Sequence, residues 1–97
     1  MPRFVATIRL TAQGLAGIQE TTRRAAAFKT AAKNLGVKVI DQYWSLGPFD
    51  GLMIFDAPDS QVAAAAMLQL ASLGNVQTQT AELFAAAEMD GILQKMK

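Results

Sequence analysis

Few residues in this chain can do chemistry, and two reactive types are missing altogether. There is no histidine and no cysteine. That removes disulfides, thiolate nucleophiles, Cys/His zinc sites and imidazole acid–base steps. Proton transfer would fall to a desolvated carboxylate or a phenol. Asp50 ends the stretch Leu46-Gly47-Pro48-Phe49-Asp50. Its carboxylate has two uses: a general base or ligand contact at a hairpin end, or an acceptor that holds a turn through backbone N–H groups. Tyr43 and Trp44 are adjacent, so on a strand they take opposite faces. One ring can wall a pocket for a flat ligand, while the other is core or a subunit contact. Thr21-Thr22-Arg23-Arg24 stands at a helix start, where N–H groups, hydroxyls and two guanidiniums could hold a phosphate or carboxylate. The same residues also read as a solvated basic face. Asp41, Asp56 and Glu82 fall on strands, and a carboxylate-only site would suit Mg²⁺ or Ca²⁺. Their spacing matches no metal loop, and no metal is assigned. Arg9, on a central strand, is a natural ion-pair partner for one of these acids. Gly14-Leu15-Ala16-Gly17 lacks the third glycine of a dinucleotide fingerprint, and nothing resembles a P-loop.

The elements that must position these residues follow from periodicity. Arg3–Leu10 alternates as a strand, with Phe4, Ala6, Ile8 and Leu10 on one face and Val5, Thr7 and Arg9 on the other. An irregular or single helical turn covers Leu15–Glu20, where Gly14 and Gly17 forbid a long helix. Thr22 reads as the N-cap of a helix to about Leu35, with Phe28, Ala31, Ala32 and Leu35 as its apolar stripe and Gly36 as its stop. Val37–Leu46 and Gly51–Ala57 read as two strands joined by the Gly-Pro turn. Val37 and Val39 take one face of the first, with Ile40, Trp44 and Leu46 on the other. Asp59 or Ser60 caps a second helix to about Leu73, carrying Ala63, Ala66, Met67, Leu70 and Leu73, and Gly74-Asn75 end it. Val76–Phe84 is a Thr-rich strand. A short helix, about Glu88–Lys95, presents Met89, Ile92, Leu93 and Met96.

The order β-α-β-β-α-β plus a terminal helix implies an α+β, ferredoxin-like fold. Right-handed crossovers give a four-stranded antiparallel sheet of order 4-1-3-2 with two helices on one face. Strands two and three read as apolar on both faces, although helices can cover only one. A partner is therefore expected on the open face, and a second copy of the chain is the simplest one.

At 97 residues the chain has room for one domain. Its net charge of +1 argues against phosphate-driven nucleic-acid binding. No secretory leader opens it, and no apolar run reaches the roughly 20 residues that span a bilayer, so a cytoplasmic protein without membrane contact is expected.

Several segments together resemble the GYD domain family: the Arg3–Leu10 strand with Thr11 and Gly14 after it, Leu35-Gly36-Val37-Lys38-Val39, Tyr43 to Asp50, Ala57-Pro58-Asp59, and Leu70 to Thr78. The resemblance covers nearly the whole chain. The family's Gly-Tyr-Asp signature has Phe49 in its tyrosine place, so a packing role survives there and a phenol's role does not. The family is similar to the dimeric α/β-barrel group, in which two sheets pack through their helix-free sides. The resemblance thus implies self-association as a homodimer or higher homo-oligomer, and it implies no defined activity.

The favoured functional reading is a non-enzymatic homo-oligomer, without cofactor, that binds a small metabolite at a subunit interface. Tyr43, Trp44, Asp50 and Arg9 are the ligand contacts, and Thr22, Arg23 and Arg24 the anion contacts. The alternative is a cofactor-independent small enzyme, monooxygenase- or isomerase-like, which needs a cavity of a few hundred Å³.

Overall fold

A computed structural model describes all 97 residues. The chain runs β1 (Arg3–Leu10), α1 (Ala12–Ala16), a 3-10 turn (Ile18–Glu20), α2 (Thr21–Lys33), β2 (Lys38–Trp44), β3 (Gly51–Asp56), α3 (Ser60–Ser72), β4 (Val76–Leu83) and α4 (Ala86–Gln94). The strands form one antiparallel sheet in the order β2-β3-β1-β4. This is the ferredoxin-like order expected from the pattern. The core joins Phe4, Ala6 and Ile8 of β1, Met53 and Phe55 of β3, Phe28 and Ala32 of α2, and Ala63, Ala66 and Met67 of α3. Both long helices therefore lie on one sheet face. Alanines at the contact let the helices approach closely, while Phe4 and Phe55 stack with ring centroids 5.4 Å apart and supply bulk.

Local signals account for most boundaries. Asp59 caps α3 by accepting from the Val62 N–H at 2.8 Å. Gly36 and Gly74 take φ of 82° and 84°, the left-handed turn that ends a helix. The turn after β1 is more helical than its glycines suggest. Thr11 accepts from the Gly14 N–H at 3.1 Å and starts α1 at Ala12.

Thr22 is not an N-cap. The 3-10 turn feeds straight into α2, whose first residue is Thr21, and Glu20 occupies the cap position without a side-chain bond. The helix stripes also end sooner than expected. Leu35 and Leu73 lie just beyond the ends of α2 and α3 and are exposed rather than buried.

The largest departure lies in β2. Val39 pairs with Phe55, but Asp41 pairs with Ile54, so Ile40 is an extra residue in a bulge. A one-residue insertion inverts the alternation beyond it. Gln42 and Trp44 therefore face the helices, opposite Met53 and Gly51, while Asp41 and Tyr43 share the open face with Ile54 and Leu52. Simple alternation puts Trp44 on the face opposite Val39, and the bulge places it on the same one. Leu46 lies past the strand and is fully exposed.

The molecule is long for its size. Its greatest extent is 52 Å and its radius of gyration 14.6 Å, against about 12.5 Å for a compact chain of this length. One contributor is α4, which starts two residues earlier than expected and buries none of its residues. No helix is long and apolar enough to cross a membrane.

Candidate functional site

Two concave regions carry the residues singled out above, one on each sheet face. The first lies between α2, α3 and the sheet. Ile8, Phe28, Met53 and Leu70 form its apolar walls, and Trp44, Arg24 and Asp50 are among its polar groups. Tyr43 also borders it, although its register partner Leu52 sends its ring to the other face. The enclosed space is about 70 Å³, far below the roughly 300–1,000 Å³ of small-molecule sites and enough for a few waters.

Trp44, Arg24 and Asp50 each make a hydrogen bond within the fold. The Trp44 indole N–H donates to Thr21 Oγ1 at 3.0 Å and ties β2 to the start of α2. Arg24 Nη2 donates to the Gly14 carbonyl at 3.1 Å. Asp50 Oδ2 accepts from the Leu10 N–H at 2.8 Å, while the Asp50 N–H donates to the Ile8 carbonyl at 2.7 Å. β3 begins at Gly51, opposite Ile8, so the last N–H of β1 has no strand partner on that side. The Asp50 carboxylate takes that place. Its role is to fasten the hairpin to β1, a longer reach than the local turn bond foreseen.

Replacing Asp50 by alanine should leave the Leu10 N–H unpaired in a half-buried site. We expect a loss of about 1–3 kcal/mol in urea unfolding, with Asp50→Asn recovering part of it. A midpoint unchanged in Asp50→Ala would refute the anchoring role.

The second region lies on the open face. Residues alternating with the core strands face it: Val5, Thr7 and Arg9 on β1, Leu52, Ile54 and Asp56 on β3, Asp41 and Tyr43 on β2, and Gln77, Gln79, Ala81 and Leu83 on β4. The face is divided. Around β2 and β3 it is apolar, with Leu52, Ile54, Val5 and the Tyr43 ring. Along β1 and β4 it is polar, with Thr7, Arg9, Gln77 and Gln79 around a depression of about 400 Å³.

The charges resolve differently from the sequence reading. Arg3, not Arg9, takes an acid: its Nε and Nη2 donate to Asp56 Oδ1 and Oδ2 at 2.8 and 3.1 Å. Arg9 Nη1 donates to the Pro48 carbonyl at 2.9 Å. Glu82 pairs with Phe4 and lies on the helix side, away from Asp41 and Asp56. No three acidic groups converge. The anion set is likewise dispersed. Arg23 pairs with Glu20 at 3.1 Å, Arg24 is drawn back to Gly14, and Thr22 is exposed.

The hydrogen bonds from Arg3 hold the Asp56 carboxyl below its usual range. The folded pKa thus lies under the unfolded value of about 3.9. The stabilisation is complete above that value and lost as pH falls through the folded pKa. Asp56→Asn should therefore melt below wild type at pH 6, with the gap closing as pH falls below about 4 and through the folded pKa. Parallel curves at every pH would exclude the linkage.

An antiparallel β2-β3-β1-β4 sheet with α2 and α3 on one face and a half-apolar second face defines a ferredoxin-like α+β domain. The chain belongs to the GYD domain family, whose pattern it matches over residues 4–93. It is 34% identical over 90 residues to a protein of Thermus thermophilus named glutamine synthetase and cystathionine beta-lyase binding protein, covering 92% of this chain and 95% of that one. The crystal structure of a Thermus thermophilus protein has the same fold, with a TM-score of 0.57 and 24% identity over 89% of this chain and 96% of the other.

Proposed function

We propose that this chain is a non-enzymatic, self-associating binding module that docks onto larger metabolic enzymes. The observation that carries this reading is the uncovered sheet face. The half-buried Leu52, Ile54 and Val5 and the exposed Tyr43 lie on it, opposite the face that α2 and α3 cover. The accessible surface is 6430 Å², against about 5,400 Å² for a typical folded monomer of 10.4 kDa. The excess is about 1,000 Å², part of it from α4, and is comparable to the ~800 Å² that each partner buries in a standard interface. A second copy supplies that cover with a surface of the same character, as a two-fold contact requires.

The class of larger partner comes from the Thermus relative, whose name states that it binds glutamine synthetase and cystathionine beta-lyase. Enzymes of that kind are the proposed targets here. The enzyme alternative draws on Tyr43, Trp44, Asp41 or Asp50 around a pocket; Trp44 and Asp50 border the helix-side cavity, while Asp41 and the Tyr43 ring take the open face. That cavity is a few waters in size, and Trp44 and Asp50 are hydrogen-bonded within the fold, which favours binding over turnover.

The test has two parts. Light scattering should give a dimer or larger assembly, and a stable 10.4 kDa species would defeat self-association. Calorimetric titration into glutamine synthetase and into cystathionine beta-lyase should show saturable binding to at least one. Silence with both would defeat the docking role.

A further inference from the structure

The polar half of the open face contains a cation without a counter-ion. Arg9 bonds one carbonyl, that of Pro48. The two ion pairs of the chain are Arg3–Asp56 and Arg23–Glu20. Asp56 on the same face is held in both oxygens by Arg3. Asp41 stands on β2, separated from β1 by β3. Most of the five guanidinium N–H groups of Arg9 are therefore free.

The surroundings of Arg9 are suited to a small organic acid. Thr7 offers a hydroxyl, and Gln77 and Gln79 offer amides that both donate and accept. Phe49, in the place of the family's signature tyrosine, and Pro48 add an apolar wall. The depression of about 400 Å³ is within the range of small-molecule sites, but one side is open. Self-association over this face, the reading proposed above, would close it and take Arg9 out of water. An unpaired guanidinium resists such burial. An accompanying anion removes that cost.

We propose that the Arg9 depression binds a small organic carboxylate bearing further hydrogen-bonding groups, at a site completed by the second subunit. The carboxylate takes the guanidinium fork, which suits its planar pair of oxygens. The amide and hydroxyl groups of Gln77, Gln79 and Thr7 take the polar remainder. One cation among neutral groups matches a single carboxylate better than a phosphate dianion. The inference gives the bare face a second use: the ligand neutralises a charge in the interface, so ligand binding and assembly support each other.

The experiment uses the full-length protein with L-glutamate, L-glutamine and succinate as probes, and inorganic phosphate as the non-carboxylate anion, all at fixed ionic strength. Calorimetry reads affinity and light scattering reads assembly. At least one carboxylate should bind saturably, raise the melting temperature and tighten the assembly. Arg9→Gln should weaken that binding about tenfold or more while melting as a folded protein. Arg9→Lys should retain part of it. An assembled protein that binds none of the carboxylates would overturn the site, as would phosphate binding more tightly than all three. If Arg9→Gln assembles more tightly than wild type without ligand and the probes remain silent, the arginine is an unrelieved interface charge and the proposal fails. A monomer that still binds a carboxylate through Arg9 would overturn the association reading and the second subunit's part in the site, leaving the Arg9 contact alone.

Discussion

Gly14→Ala should be the most damaging small substitution in this protein. An ideal Cβ at Gly14 would lie 2.1 Å from the Asn75 carbonyl oxygen, with Leu10 Cδ2 at 3.2 Å. The first obstacle is backbone and cannot rotate away. That same carbonyl accepts from the Thr11 N–H at 3.0 Å. Thr11 Oγ1 donates to the Gly74 carbonyl at 2.6 Å, and Gln13 Nε2 donates to the Leu73 carbonyl at 3.0 Å. Any shift that admits a methyl therefore strains the whole seam between α1 and the α3–β4 turn. We expect a loss of about 3 kcal/mol or more. That is a large share of a total stability of about 5–15 kcal/mol. The melting temperature should fall by about 12 °C or more. Gly91→Ala is the control. Nothing lies within 4 Å of its Cβ position, and it sits in a helix that buries nothing, so its melting temperature should stay within about 2 °C of wild type. Equal melting of Gly14→Ala and Gly91→Ala would contradict the close approach.

That seam also shows what a sequence can disclose. Thr11, Gly14, Gly74 and Asn75 stand in two of the segments that carry the family resemblance, about sixty residues apart, and they meet in one hydrogen-bonded cluster. The segments are readable, but their contact is not, because nothing local in either one points to the other. Features determined within a few residues are legible: the Asp59 cap, the turns at Gly36 and Gly74, and the alternation of β1. The bulge at Ile40 is not. Val39 and Ile40 are adjacent apolar residues, and that break in alternation is the available signal. It reads as a strand apolar on both faces before it reads as a change of phase. The difference moves Trp44 to the helix side and leaves Tyr43 as the aromatic of the open sheet. Ion pairing is partly legible. An arginine on β1 is expected to meet an acid on another strand, but the choice of Arg3 over Arg9 depends on register. That choice leaves Arg9 free, and with it the candidate site on the polar half of the sheet.

On the proposed self-association, Ile54→Lys should give folded monomers. Ile54 lies on the open face of β3, between Val5 of β1 and Asp41 of β2. In the isolated chain a lysine there is tolerable. It stands directly opposite Asp41, and a cross-strand pair of opposite charges contributes about 0.2–1 kcal/mol. This offsets much of the loss of a β-branched residue from a strand. Under a second copy the same lysine is a charge driven into an apolar contact. A two-fold interface receives the substitution twice. Desolvating both ammonium groups should raise the dissociation constant by about a thousandfold or more. The expected result is a monomer by light scattering at concentrations where wild type is assembled, with circular dichroism unchanged and a melting temperature that no longer rises with protein concentration. Ile54→Thr keeps the β-branch and adds no charge, so it should weaken assembly by a smaller factor. An Ile54→Lys protein that stays assembled would mean that the apolar half of the sheet is not the contact between copies.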